Sequence, residues 1–232
     1  MADFLVPDWP VPANVRALVT TRVHGNVADH VDYEKSAVAA RRADLRRHLP
    51  GDPVWLSQVH GTRCVAAEEA VPGIAADASV ARTPGVVCAV LAADCLPILL
   101  CDEAGRVVGA VHAGWRGLAA GILEAAVAAL AVPGERLLAW LGPAIGPAAF
   151  EVGEEVRAAF ITVDSGAAEA FLAAQDGKWR CDLYAVARRR LNALGVERIF
   201  GGGFCTFSEA GRFYSYRREG LTGRMASLIW IV

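Results

Sequence analysis

Short runs of β-branched and other apolar residues alternate along the chain with alanine- and leucine-rich segments of helical period. Apolar runs of roughly four to eight residues between turn residues indicate buried strands, and a period near 3.6 indicates amphipathic helices. The pattern predicts strands over residues 15–22, 54–60, 86–92, 97–101, 106–112, 137–141 and 226–232. It predicts helices over residues 32–48, 118–131, 151–160, 167–174 and 183–194.

Two kinds of connection join these elements. The Asp-Glu-Ala-Gly turn at residues 102–105 suits a tight hairpin, whereas the intervening helices require crossovers. This mixture disfavours an all-parallel, doubly wound sheet and predicts an α+β fold with mixed β-sheets and outer helices. Because 232 residues with 54% hydrophobic content can bury one sizeable core, and no repeat or linker interrupts them, we expect a single domain over residues 1–232.

Composition and charge disfavour several classes of function. The net charge of −2, without a basic stripe among aromatic residues, argues against a nucleic-acid partner. The longest apolar stretch, residues 85–100, contains Asp94 and Pro97 and is shorter than the roughly 20 residues that span a bilayer, so no membrane partner is expected. The N-terminal residues lack a basic start followed by an apolar core, and the six cysteines include no CxxC pair. We therefore expect a cytoplasmic protein with reduced thiols.

Three candidate metal ligands lie where apolar runs end in turns: His60, Cys95 and His112. Imidazole and thiolate bind zinc, and three protein ligands leave a fourth tetrahedral position for water or substrate. They are too far apart in sequence for a local zinc finger, so different elements must bring them together. Cys88 and Cys101 lie inside apolar runs and are expected in the core.

Other polar residues near these three are candidates for substrate chemistry. Asp94 and Asp77 could orient a ligand or handle a proton, with capping a turn as the alternative for Asp94. Gln58 could hold a ligand or a substrate amide. Arg116, near a predicted helix N-terminus, and Arg22 could bind phosphate, although Arg116 could instead pack on Trp115.

Several segments together resemble the YfiH-type family. They are residues 54–61 (VWLSQVHG), 75–78 (AADA), 93–97 (ADCLP), 111–117 (VHAGWRG), 142–146 (GPAIG), 215–218 (SYRR) and 222–224 (TGR). The resemblance runs in order from about residue 17 to the C-terminus. That family was named for polyphenol oxidase (laccase) activity, and its members are also described as purine nucleoside phosphorylases and peptidoglycan editing factors.

The resemblance implies a four-layer α/β/β/α fold with His60, Cys95 and His112 as zinc ligands and catalytic residues. It implies phosphorolysis of adenosine, inosine, guanosine and methylthioadenosine, together with deamination of adenosine. The expected partners are purine nucleosides and phosphate, and the expected state is a monomer or a small homo-oligomer. One departure is the turn after Arg22, where His24 replaces a family glycine. If this turn lines the pocket, the substrate preference should differ; elsewhere in the chain, His30 is expected to be solvated and His48 to end a helix.

Three alternatives remain open at this stage. A copper-dependent polyphenol oxidase could use the same ligands, but a trinuclear copper cluster requires more than the five histidines present. A metal-free hydrolase could use Cys95 as nucleophile and His112 as base, and its activity would survive a chelator. A peptidoglycan editing role is known only through the family name.

Overall fold

The computed structural model describes residues 4–31 and 35–232. Within these ranges the strands are β1 (Val15–Val19), β2 (Pro53–Val54), β3 (Cys64–Ala66), β4 (Ala78–Ala81), β5 (Val87–Ala92), β6 (Leu96–Asp102), β7 (Val108–Ala113), β8 (Leu137–Leu141), β9 (Glu151–Val152), β10 (Phe171–Ala173), β11 (Trp179–Cys181), β12 (Arg198–Gly201) and β13 (Met225–Ile231). The α-helices are α1 (Lys35–Arg46), α2 (Trp115–Ala120), α3 (Ile122–Leu130), α4 (Glu154–Ile161), α5 (Leu183–Ala193) and α6 (Tyr216–Glu219).

The described strands form two large sheets and one small one. A four-stranded sheet has the order β1-β13-β5-β2, and a six-stranded sheet has the order β12-β8-β6-β7-β4-β3. The small sheet has the order β10-β11-β9. Each large sheet combines antiparallel pairs with parallel ones, which are β2 with β5, β3 with β4, and β12 with β8. The predicted mixed sheets are therefore confirmed.

The two large sheets pack face to face between outer helices. Val90 and Ile229 of the four-stranded sheet share an apolar cluster with Leu99 and Ala110 of the six-stranded sheet. The opposite face of the six-stranded sheet packs against α2, α3, α4 and α5, and the opposite face of the four-stranded sheet packs against Leu45 of α1. This order of layers confirms the α/β/β/α arrangement. No helix within residues 4–31 and 35–232 combines the length and the apolar character needed to cross a bilayer.

Several predicted elements differ from the structure. The helix expected over 118–131 begins earlier and divides into α2 and α3, because Gly121 adopts a left-handed conformation with φ 106°. The helix expected over 167–174 is wrong: residues Ser165–Ala170 form a 3-10 turn, and the next three residues pair with β11. Of the strand expected over 54–60, only Val54 lies in a regular strand, β2. Residues 32–34 of the expected helix 32–48 lie outside the described residues.

Candidate metal centre and substrate cavity

Strand register brings the candidate ligands together. In the β6–β7 hairpin, Pro97 lies opposite His112, so Cys95 lies close to the end of β7. In the β4–β7 pair, Ala78 lies opposite Val111, so Asp77 lies beside His112 on the other side. The His112 main-chain N–H donates to the Asp77 carbonyl at 2.7 Å, which extends that pairing by one residue. Strand pairing therefore assembles residues that are distant in sequence.

His60, Cys95 and His112 form one compact group of metal-binding atoms. Their possible ligand atoms all lie within 4.8 Å of one another. The Cys95 Sγ is 3.7 Å from the His60 Nε2, and the two imidazole rings are 4.9 Å apart between centroids at an angle of 73°. His112 is buried, Cys95 is partly buried and His60 is exposed, so the group opens on one side. Imidazole and thiolate donors with one open side are features of catalytic zinc sites.

Asp77 holds the imidazole of His112 and the main chain of His60. Its Oδ1 lies 2.8 Å from the His112 Nδ1, which leaves the Nε2 of that ring as the available ligand atom. The same carboxylate accepts main-chain hydrogen bonds from Val59, His60 and Gly61 at 3.2, 2.9 and 2.7 Å. Burial opposes the charge, but these donors and His112 outweigh it and lower the pKa of Asp77. Asp77 is thus a positioning residue for the group, consistent with the orienting role suggested by the sequence.

The backbone at the group is strained and closely packed. His60 and Asp94 have φ angles of 59° and 89°, in the left-handed region that non-glycine residues rarely adopt. A Cβ added to Gly114 would lie 2.8 Å from the His60 Cδ2 and 3.0 Å from the Cys95 Sγ. Only a glycine fits at this position without displacing two of the three ligands.

The surroundings of Cys95 favour a thiolate. Burial raises the pKa of its thiol, but the adjacent His112 and His60 rings lower it more, to about 6. Burial raises the pKa of Cys64 to about 11 and that of Cys88 to about 12. Because the thiolate is the form that binds a metal or attacks a carbon, Cys95 has the reactivity that the other two thiols lack.

Asp94 connects the cysteine loop to a distant part of the chain. Its Oδ1 accepts a hydrogen bond from the Thr206 hydroxyl at 2.6 Å, and its Oδ2 accepts one from the Arg217 main-chain N–H at 2.6 Å. Arg217 belongs to α6, whose N-terminal Ser215 also accepts a bond from Arg218 N–H at 3.3 Å. The carboxylate predicted to handle a proton or cap a turn therefore holds α6 in place beside Cys95.

A cavity of about 950 Å³ opens over the metal-ligand group. Its walls are formed by all three ligands, by Asp94, by aromatic and apolar side chains, and by cationic side chains. The aromatic lining residues are Trp55, Trp115, Phe150 and Tyr216, and the cationic ones are Arg42, Arg116, Arg217 and Arg224. This volume lies within the range of roughly 300–1,000 Å³ that small-molecule sites occupy.

Two predicted substrate-binding residues line this cavity. The Gln58 amide is already engaged, since its Nε2 donates to the Leu91 carbonyl and its Oε1 accepts from the Leu91 N–H, both at 2.7 Å. Arg116 packs its guanidinium 4.5 Å from the centre of the Trp115 ring. That cation–π contact leaves the N–H groups of Arg116 facing the cavity without a hydrogen-bond partner among the described residues.

Arg22 and the His24 turn lie apart from this group of residues. Arg22 forms an ion pair with Glu219 and packs over Tyr214 at 4.9 Å. His24 stacks on Phe4 at 4.3 Å, and its Nδ1 lies 3.0 Å from the Thr21 main-chain nitrogen. Neither Arg22 nor His24 is among the residues that line the cavity. The geometry therefore favours a structural role for the altered turn and gives Arg22 a carboxylate partner in place of phosphate.

Sequence reasoning missed three features of the site. Thr206 and Arg224 received no role, although Arg224 lies in the TGR segment that carries part of the family resemblance. His30 was expected to be solvated, yet it lines the cavity while remaining exposed. The sequence signal for Arg224 was its position directly before the strand that pairs with β5. That pairing brings Arg224 to the loop that carries Cys95.

The chain is similar in sequence to a known family and to named bacterial proteins. Residues 20–232 match the family described as multi-copper polyphenol oxidoreductase laccase. The purine nucleoside phosphorylase of Pseudomonas aeruginosa is 53% identical over 241 residues, covering 100% of this chain and 99% of its own. The purine nucleoside phosphorylase YfiH of Escherichia coli is 49% identical over 244 residues, with both chains fully covered.

Solved structures show the same fold. A Neisseria meningitidis protein superposes with a TM-score of 0.95 at 48% identity, covering 98% of each chain. YlmD from Geobacillus stearothermophilus superposes with a TM-score of 0.83 at 28% identity, covering 94% of this chain and 92% of its own. Because the match covers residues 20–232, the chain belongs to the YfiH-type family, which is described as multi-copper polyphenol oxidoreductase laccase.

Proposed function

We propose that this chain is a cytoplasmic, zinc-dependent purine nucleoside phosphorylase that also deaminates adenosine. The observation that carries the proposal is the His60, Cys95 and His112 group, which opens into a cavity of about 950 Å³ with aromatic and cationic walls. Aromatic faces suit a purine, and guanidinium groups suit phosphate. The names of the relatives from P. aeruginosa and E. coli support the same reaction class.

The residues present fit zinc as the metal. Two imidazoles and one thiolate match the ligand types of catalytic zinc sites, and Asp77 supplies the carboxylate that orients a ligating histidine. When bound there, zinc would supply a Lewis acid and lower the pKa of a coordinated water. Copper is less favoured, since the described residues contain one such group and a trinuclear cluster needs more histidines than the five in the chain.

Phosphorolysis breaks the C1′–N9 bond of the nucleoside, and the electron pair of that bond stays on N9. An oxygen of hydrogen phosphate bonds to C1′, and the proton that the phosphate loses goes to N9. Arg116 would hold that phosphate by charge, while Trp55 and Tyr216 would offer ring faces to the base. Asp94 acts by position, because both its oxygens already accept hydrogen bonds from protein groups.

Turnover with and without phosphate tests this proposal. Purified protein would be incubated with inosine, adenosine, guanosine and methylthioadenosine, and the products separated by chromatography. We expect release of the free base only with phosphate, conversion of adenosine to inosine in both conditions, and loss of both activities with a zinc chelator. Base release that is equally fast without phosphate would indicate a hydrolase. Activity that survives complete zinc removal would favour the metal-free Cys95–His112 alternative.

A further inference from the structure

Arg224 lies beside the metal-ligand group for a topological reason. It immediately precedes β13, whose first residue, Met225, lies opposite Ala92 at the end of β5. The chain leaves β5 through Asp94 to Cys95, so the antiparallel register places Arg224 against that loop. Arg224 accordingly lines the same cavity as the three ligands.

The Arg224 side chain is held at one end and lacks a carboxylate partner. Its Nη1 donates to the carbonyl oxygens of Thr222 and Gly223 at 2.7 and 3.2 Å, and its guanidinium lies 5.9 Å from the centre of the Tyr216 ring. None of its donors reaches a carboxylate among the described residues. The nearby Asp94 carboxylate is directed at other groups, Thr206 and a main-chain N–H.

Of the four arginines that line the cavity, Arg116 and Arg217 are exposed, whereas Arg224 is half-buried without a carboxylate partner among the described residues, as expected of an anion site. The other half-buried arginine of the wall, Arg42, has Asp29 at 3.6 Å. A partly buried guanidinium stays charged at neutral pH, and removing it from water costs free energy unless an anion or hydrogen-bond acceptors compensate. The remaining N–H groups of Arg224 form the planar fork that matches two oxygens of a phosphate.

We propose that Arg224 is the principal anchor of an oxyanion subsite next to the metal-ligand group, and that its ligand is inorganic phosphate. The inference rests on the proposed function, because phosphorolysis requires a phosphate within reach of C1′. It assigns to Arg224 the role that the sequence suggested for Arg22, whose charge is paired with Glu219. Arg116 becomes a second cation on the wall of the same cavity.

Direct binding of inorganic phosphate tests the subsite without any turnover. Isothermal titration calorimetry would compare the wild-type protein with Arg224→Gln, Arg224→Lys and Arg16→Gln. Arg16 is the matched control because its guanidinium also bonds only to carbonyl oxygens, those of Ala13 and Val15. We expect phosphate binding to weaken by roughly 10- to 100-fold in Arg224→Gln, by less in Arg224→Lys, and not at all in Arg16→Gln.

The outcomes separate this inference from the proposed function. Equal phosphate affinity in wild type and Arg224→Gln would overturn the subsite, as would a wild type that binds no phosphate with or without hypoxanthine. An Arg224 effect confined to a nucleoside 5′-monophosphate would also overturn it, because the oxyanion would then belong to the substrate. Phosphate binding that depends on Arg224 in a protein that does not cleave inosine would uphold the subsite and reject the phosphorylase. If Arg224→Gln does not fold by circular dichroism, the lysine variant decides: unchanged affinity there would refute a bidentate contact.

Discussion

The Nδ1 atom of His112 lies 2.8 Å from Oδ1 of Asp77, a carboxylate that is fully shielded from solvent. Because Asp77 also accepts three main-chain N–H groups from the loop that carries His60, a single side chain positions two of the three candidate ligands. Partners of this kind set the tautomer and the orientation of a metal-binding imidazole.

Asp77→Asn should therefore weaken zinc binding while leaving all three ligands in the chain. An amide cannot accept from all these donors, so we expect zinc affinity to fall by roughly 10- to 100-fold and kcat to fall with it. Competition with a chromogenic chelator measures the affinity. Asp52→Asn is the control, since Asp52 is exposed, pairs with Arg46 and does not line the cavity. Equal zinc affinity in Asp77→Asn and wild type would contradict a role for Asp77 in orienting His112.

Removal of any one ligand should deplete the metal. We expect His60→Ala, Cys95→Ala and His112→Ala each to lower zinc content and abolish nucleoside turnover, because three ligands leave no redundancy. Cys64→Ala, which removes a thiol whose pKa burial raises to about 11, should retain both. Metal analysis of protein purified without added ions, together with melting temperature, gives the result. A ligand variant with full zinc and full activity would remove that residue from the centre.

The Thr206 hydroxyl should affect catalysis through Asp94. Thr206→Val removes the donor at 2.6 Å from Asp94 and leaves a buried acceptor partly unsatisfied, so Cys95 and α6 lose a common anchor. We expect kcat/KM for nucleoside to fall by roughly 10-fold, and Thr206→Ser to restore most of it because the hydroxyl is retained. Thr162→Val, at an exposed position after α4, is the control. If serine and valine behave alike, the hydrogen bond carries no catalytic effect.

Asp102 should make the fold sensitive to acid. Burial opposes its charge, but the N–H groups of Arg106 and Val107 and the Arg106 guanidinium outweigh it and lower its pKa from 3.8. A lowered folded-state pKa stabilises the fold above the ordinary pKa, and this contribution disappears as pH falls through the folded-state value. The difference in unfolding free energy between wild type and Asp102→Asn should therefore be largest near neutral pH and shrink below about pH 4. Urea unfolding across pH 2–7 measures it, and a constant difference would rule out this linkage.

The metal-ligand group was predictable from the sequence because each member is marked locally. His60, Cys95 and His112 each lie at the end of an apolar run, and the pairing of β6 with β7 brings Cys95 and His112 together. His60 lies in a loop, which the carboxylate of Asp77 holds beside them. The roles of Asp94 and Thr206 carry no such local mark. Their hydrogen bond joins residues 112 positions apart, and only the packed structure shows that the carboxylate is already occupied.

The roles of Arg22 and Arg224 were also not predictable from the sequence. Arg22 and Arg224 both flank strands of the four-stranded sheet, and nothing local distinguishes a paired guanidinium from one without a carboxylate. Glu219, 197 residues from Arg22, makes the difference. Helix breaks were also hidden: Gly121 ends α2 through a left-handed conformation, although the surrounding alanine-rich pattern continues across it.

The turn that departs from the family pattern should govern stability and leave substrate choice unchanged. His24 stacks on Phe4 at 4.3 Å and its Nδ1 lies 3.0 Å from the main-chain nitrogen of Thr21, so the imidazole serves as a cap and a packing surface. His24→Gly removes both contacts and adds backbone freedom, which we expect to cost about 1–2 kcal/mol of unfolding free energy. The ratio of adenosine to inosine turnover should stay within experimental error of wild type, since His24 is not among the residues that line the cavity. Val23→Ala, at a side chain that is 72% exposed, controls for a change in the same turn and should affect neither quantity. A several-fold shift of the turnover ratio in His24→Gly would mean that this turn reaches the substrate after all.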